Sequence, residues 1–214
     1  MTPIIPIDPH RPDPDRVREA AAAIRAGKLV VLPTDTLYGL GANALDEKAV
    51  EKVYQVKRRR LSKPLLIFIG EEEELHELIE ALPPLAERLM RAFWPGPLTL
   101  VFPASSRLPR VLLGDTSDIA IRLPALPLIR SLVREAGVPI TGTSANLSDR
   151  PTPPTAQGVL QELGEGVDLL LDGGPCTSQM GSTLIDLTQT PPQLLREGEI
   201  PRAAIEELIG PLKG

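Results

Sequence analysis

The sequence predicts an α/β fold on a mixed, twisted, open sheet, and three observations predict it. Short β-branched, apolar runs alternate with amphipathic helical stretches from one end to the other. No internal repeat or low-complexity tract interrupts them. The 214 residues lie near the upper end of what one α/β domain needs, so residues 1–214 read as a single domain.

The elements follow in order. Asp13 before Pro14 is a helix start, an N-cap followed by proline at the first helical position, and Val17, Ala20, Ala21 and Ile24 then supply one apolar face up to Gly27. Residues 29–32 are a buried-strand run that breaks at Pro33. A helix over 46–57 and a strand over 65–69 come next, and Glu71 to Glu74 read as an acidic helix start. A helix over 84–93 leads through the rigid turn at 94–97 into a strand at 98–102. Further strands are expected at 119–123, 138–141, 167–171, 183–187 and 193–195, and helices at 126–136, 155–163 and after Pro201.

Composition narrows the chemistry. The formal net charge of −5 argues against wholesale coating of nucleic acid. One cysteine, Cys176, excludes an internal disulfide and a Cys-rich zinc site, and two distant histidines, His10 and His76, make a histidine-held metal an unattractive expectation. The first residues lack a charged and apolar leader pattern, and no apolar run reaches membrane-spanning length, so the chain reads as cytoplasmic. With 24 prolines and two asparagines, the bias leans toward heat-adapted proteins.

Against this acidic balance, residues 57–64 hold five cations in eight positions. Such a concentration marks a place where anions are held, or a solvated helix end. Lys57 continues the apolar series Val50, Val53 and Tyr54 at helical spacing, so it points inward and needs an anion there. Polar clusters at strand ends add hydroxyls and close-approach glycines: residues 33–41 with Thr34, residues 141–148 with Thr143, Ser144 and Asn146, and residues 181–186 with Ser182. Plain turns and capped loops explain each cluster about as well. Arg122 and Arg196 are isolated cations beside apolar strand residues. Phosphate-loop, dinucleotide, serine-hydrolase and zinc-protease motifs are absent, and Cys176 has no histidine near it in sequence. A cationic, hydroxyl-lined cleft without an evident nucleophile suits group transfer between bound substrates.

Taken together, residues 33–41, Lys57-x-Arg59 with Lys63-Pro64-Leu65, residues 94–99, Ile121-Arg122-Leu123-Pro124, residues 143–146 and residues 181–186 closely resemble the YrdC family, the threonylcarbamoyl-AMP synthases. The resemblance runs from about Val17 to Arg202. It implies a YrdC-like fold, with helices and an open sheet around a concave positive cavity. It also implies a nucleotidyltransferase that condenses L-threonine, bicarbonate or carbon dioxide, and ATP, with magnesium carried by the ATP, into threonylcarbamoyl-AMP and pyrophosphate. The product would pass to a separate transferase that modifies tRNA. By the same resemblance Lys57, Arg59 and Lys63 would be catalytic, and Thr34, Arg122 and Ser182 would line the threonine pocket. Lys57, Arg59, Thr143, Ser144, Asn146 and Arg196 would contact the nucleotide, and no protein-held metal is implied.

Two departures stand out: some relatives carry histidine where Phe68 stands, and Asp149 replaces a glycine often found after the Ser-Ala-Asn-x-Ser segment. The chain resembles the short form, which lacks an additional C-terminal domain. The alternative from another class is an RNA-binding module without catalysis, although six aromatic residues in all (two Tyr, three Phe, one Trp) argue against a base-stacking platform. Carbamoyl transfer, as in hydrogenase-maturation proteins, is a third reading, but it goes with larger chains carrying Cys-rich motifs.

Overall fold

The computed structural model describes residues 2–176, 178 and 180–214. In chain order the elements are β1 (Ile4–Pro6), α1 (Pro14–Arg25), β2 (Val30–Leu32), β3 (Gly39–Gly41), α2 (Glu47–Lys57), β4 (Leu66–Phe68), α3 (Leu75–Leu78), α4 (Pro84–Phe93), β5 (Leu98–Pro103) and α5 (Arg110–Leu113). After these come β6 (Asp118–Arg122), α6 (Pro127–Ala136), β7 (Ile140–Thr141), β8 (Thr143–Ser144), α7 (Ala156–Leu163), β9 (Leu169–Asp172), β10 (Thr183–Asp186), β11 (Gln193–Arg196) and α8 (Arg202–Ile209).

The helices form where local chemistry directs. The Asp13 carboxylate accepts from the Asp15 N–H at 2.8 Å, Pro14 opens α1, and the buried residues are the expected Val17, Ala20, Ala21 and Ile24. Asp46 caps α2 by accepting from Lys48 N and Ala49 N, and Arg58 ends it in the left-handed region at φ 50°. The stripe of α1 packs with that of α6 around Ile5, Leu128, Ile129 and Leu132, which forms one core. A larger core joins α2, α4, α5 and α8 to the other strands.

The expected single sheet is instead two mixed sheets. One has the order β1-β9-β2-β3-β8 and the other β11-β10-β5-β6-β4-β7. Strand pairing is a nonlocal property, and one short segment accounts for the division. Within β7, Ile140 and Thr141 pair antiparallel with β4; two residues later, Thr143 and Ser144 of β8 pair antiparallel with β3. The chain thus crosses between sheets at Gly142, whose N–H donates to the Leu66 carbonyl at 2.8 Å. The buried Thr141 hydroxyl stitches the seam, accepting from Ala42 N at 2.9 Å and donating to the Leu40 carbonyl at 3.1 Å.

Four elements escaped the sequence reading, the two-residue β8 among them. The glycine-rich stretch 33–41, which reads about equally as a ligand loop or a plain turn, contains the fully buried strand β3, where a Cβ on Gly41 would meet Leu32 Cδ2 at 2.7 Å and Ile140 Cγ2 at 2.9 Å. These glycines serve close packing rather than turn geometry. The edge strand β1, with Pro6 at its end, pairs in parallel with β9, and α5 is a single short turn of helix.

Gly142 has no room for a side chain: a Cβ there would lie 2.5 Å from Leu66 Cδ1 and 2.6 Å from two atoms of the Phe68 ring. A Gly142→Ala protein is expected to lose about 1–3 kcal/mol of stability by overpacking, read from the shift in the denaturant midpoint.

Candidate active site

A cavity of about 490 Å³ opens where the two sheets meet, within the range of roughly 300–1,000 Å³ that accommodates small ligands. Side chains two apart on a strand share a face. On this principle β6 contributes Asp118, Ala120 and Arg122 to the floor, β10 contributes Leu184 and Asp186 with Ser182 just ahead of it, and β4 contributes Leu66 and Phe68. The opposite wall is made by Thr34, Thr36 and Gly39 before and within β3, and by Thr143 and Ser144 of β8. Arg59, Lys63 and Pro64 line it from the loop after α2, and Arg196 lines it from β11.

Arg122 is the most enclosed cation on this surface, 2% exposed. Its Nε donates to the Gly96 carbonyl at 2.9 Å and its Nη1 to the Thr36 hydroxyl at 3.0 Å. Nη2 lies 2.7 Å from Asp35 Oδ1, but without hydrogen-bond alignment, so neither buried atom has a directed partner. The Phe68 ring centroid lies 6.0 Å from the guanidinium carbon. Burial lowers the Arg122 pKa, opposed by Asp35 and Glu199. Nearby, Arg196 donates to the Ser182 carbonyl at 3.0 and 2.8 Å and to its hydroxyl at 3.1 Å, while Ser182 and Thr99 share a hydroxyl hydrogen bond of 2.7 Å. Desolvation of the Arg196 head group, then the charge of Arg122, lowers its pKa as well. A cation disfavoured by its neighbour in this way is relieved by an anion between the two.

The mouth is organised differently. Arg59 donates to the Pro64 carbonyl at 2.8 Å and to the Lys63 carbonyl at 3.3 Å, so the basic loop is held partly by its own cation. Lys63 extends outward and pairs with Asp149 at 3.0 Å.

Of the residues singled out from sequence, Thr34, Arg59, Lys63, Arg122, Thr143, Ser144, Ser182 and Arg196 converge on the cavity. Lys57 and Asn146 do not line it. Lys57 does turn inward, as its helical spacing requires, and is 1% exposed. Its expected anion is replaced by carbonyl oxygens of the chain itself: Nζ donates to the Ser144 carbonyl, to the Asn146 carbonyl at 2.7 Å and to Asn146 Oδ1 at 3.4 Å. The Lys57 carbonyl in turn accepts from Ser148 N at 2.9 Å. Asn146 also donates to the Leu147 and Arg150 carbonyls at 2.7 and 2.6 Å. Both side chains therefore hold the loop after β8 in place behind the wall.

Sequence reasoning left out Thr36, Asp118 and Asp186 as lining residues. Thr36 lies within a cluster already noted, and Asp118 could have been found from the alternation Asp118, Ala120, Arg122 on one strand face. Burial, then the Asp186 charge, raises the Asp118 pKa. Asp186 accepts from Thr188 N and Oγ1 at 2.8 and 2.7 Å and from Gln189 Nε2 at 3.2 Å, local turn bonds that no spacing rule reveals. Phe68, the departure from the family pattern, lies in the cavity wall beneath Arg122.

Burial, then Arg59, pushes the Lys57 pKa down from 10.5 to about 7, with Glu162 opposing. Between those values the unfolded chain binds a proton that the folded chain releases. The Lys57 contribution to stability is therefore complete above 10.5, lost as pH falls through about 7, and changes by at most about 1.4 kcal/mol per pH unit between. A Lys57→Met protein is expected to lack this slope in denaturant unfolding between pH 7 and 10. At pH 7 it should lose about 1–3 kcal/mol from the carbonyls left unpaired.

The Sua5/YciO/YrdC family model, described as "Telomere recombination", matches residues 22–198. The chain is similar to the threonylcarbamoyl-AMP synthase of Pyrococcus abyssi, 44% identical over 198 residues, which are 92% of this chain and 58% of that protein. It is similar to the Bacillus subtilis protein of the same name, 41% identical over 199 residues, or 92% of this chain and 57% of that protein. The chain thus spans somewhat over half the length of these curated relatives. Its fold is similar to the crystal structure of P. abyssi Sua5 complexed with L-threonine, with a TM-score of 0.95 at 43% identity, covering 99% of this chain and 62% of that one. With the family model matched across both sheets and the cavity between them, the chain belongs to the Sua5/YciO/YrdC family.

Proposed function

We propose that this chain condenses L-threonine, bicarbonate or carbon dioxide, and ATP into threonylcarbamoyl-AMP and pyrophosphate. The observation that carries the reading is one cavity with two cationic stations: Arg122 with Arg196 on the floor, and Arg59 with Lys63 at the mouth. One station suits an amino-acid carboxylate and the other a polyphosphate. The names of the relatives and the threonine complex of P. abyssi Sua5 support the same assignment.

The chemistry needs no protein nucleophile. The threonine amine nitrogen forms a bond to the carbon of carbon dioxide and gives up one proton to solvent, which leaves a carbamate. A carbamate oxygen then forms a bond to the α-phosphorus of ATP, and the bond from that phosphorus to the bridging oxygen breaks, with pyrophosphate leaving with the electron pair. The chain's task is to bring two anions together and offset the charge that develops. In this reading Thr34, Thr36, Arg122 and Ser182 hold the amino acid. Arg59, Lys63, Thr143 and Ser144 face the nucleotide, Arg196 contacts it from the floor station beside Ser182, between the two substrates, and Lys57 and Asn146 act by fixing the loop that carries Ser144. Magnesium enters with ATP as part of the substrate. The product is handed to a separate tRNA-modifying transferase, and a cytoplasmic location fits both ATP and tRNA. No helix among the described residues is long and apolar enough to cross a membrane. The RNA-binding alternative has less support, because the enclosed cations turn into a cavity rather than across a broad face.

Purified protein given ATP, magnesium, bicarbonate and labelled L-threonine is expected to release pyrophosphate only when threonine is present; release that ignores threonine contradicts the proposal. Arg122→Met is expected to raise the KM for threonine by about a hundredfold, the scale of a lost charged hydrogen bond. The KM for ATP should move far less. Arg59→Ala should lower kcat by about 10²-fold, the scale of one lost transition-state donor.

A further inference from the structure

Two loops face each other across the mouth of the cavity, and each is fixed at its base. The basic loop is held by Tyr54, whose hydroxyl donates to the Lys63 carbonyl at 3.0 Å, by Arg59, and by Asp115 N donating to the Ser62 carbonyl at 3.1 Å. The loop after β8 is held by Lys57, by the Asn146 amide, and by Glu162, which accepts from Leu147 N at 2.8 Å. Between these fixed bases a single ion pair spans the gap, Lys63 Nζ to Asp149 Oδ1 at 3.0 Å, with side chains 45% and 79% exposed. Lys63 lines the cavity and Asp149 does not. Asp149 has φ 66°, one of two non-glycine residues among those described in the left-handed region. The chain therefore keeps a side chain where glycine would be easier, and that side chain carries the carboxylate to Lys63.

An exposed pair of this kind adds little to stability, so its placement needs another account. A cation on the cavity wall with a resident anion just outside cannot take a ligand phosphate at full strength until that anion is displaced. We propose that Asp149 is the resident counter-ion of Lys63, a positioning residue that gives way when polyphosphate enters and so lowers the chain's affinity for nucleotide and for pyrophosphate. The inference deepens the reading of this cavity as a nucleotide site and rests on it. Lys63, with Arg59 and Arg60, acts on the Asp149 carboxylate and holds its pKa low. The effect on binding is a competition between two anions for one ammonium, and its size depends on salt.

Calorimetric titration of the parent and of Asp149→Asn with magnesium-ATP, and separately with inorganic pyrophosphate, tests this. Asparagine tolerates the left-handed backbone, so the loop is expected to keep its shape. At low ionic strength the variant should bind both probes roughly two- to fivefold more tightly, a gain that shrinks in high salt, with the KM for threonine unmoved. Repeating the comparison in a Lys63→Ala background should abolish the gain. A crystal structure with magnesium-ATP bound should show Lys63 released from Asp149. Equal affinities for parent and variant, a gain that persists without Lys63, or an intact ion pair beside bound polyphosphate would each overturn the proposal. Failure of the parent to bind ATP would end the nucleotide reading as well, whereas the three results just named end this inference alone.

Discussion

One main-chain crossing holds the architecture together. At Gly142 the backbone leaves one sheet for the other, and the Leu66 and Phe68 side chains press against the place where a Cβ would stand. Because β7 and β8 are separated by a single residue, the sheets are fixed to each other at that point. The cavity lies beside that crossing, with Gly142 itself in its lining. Its floor and its opposite wall belong to different sheets, so the positions of Arg122 and Ser144 relative to each other are set by the crossing and not by either strand alone.

Lys57 extends the same constraint to the loop that follows. A buried ammonium that donates to two backbone carbonyls and an amide oxygen replaces three water contacts with three fixed ones. It ties the end of α2 to the end of β8, so the basic loop and the hydroxyl-bearing loop cannot drift apart. A cation placed behind the wall in this way shapes the site without occupying it. Ser144, in front, is left free to face a ligand while its carbonyl is held from the rear.

How much of this was legible in the sequence follows from the range of each interaction. The α1 cap at Asp13, the apolar faces of α1 and α2 and the strand runs at β2, β5 and β10 are local, and residues 84–93 formed a helix with the boundaries expected of them. The inward turn of Lys57 was likewise readable from helical spacing. Its partners were not, since they lie 87 and 89 residues further along the chain. The strand β3 escaped because glycine carries no apolar signal even where backbone packing demands it. The division into two sheets escaped because pairing is decided between segments far apart in sequence. For the cavity, the family resemblance drew together segments that spacing alone could not join, and the lining acids Asp118 and Asp186 belonged to none of its expected roles.

The face of β6 gives the groove a grain. Asp118 and Arg122 stand four residues apart on one side of a strand, their backbones roughly 13 Å from each other, with only Ala120 between them on that face. One strand thereby offers an acidic and a basic side chain at opposite ends of the same face, so the two ends of an elongated guest lying along β6 would meet different chemistry.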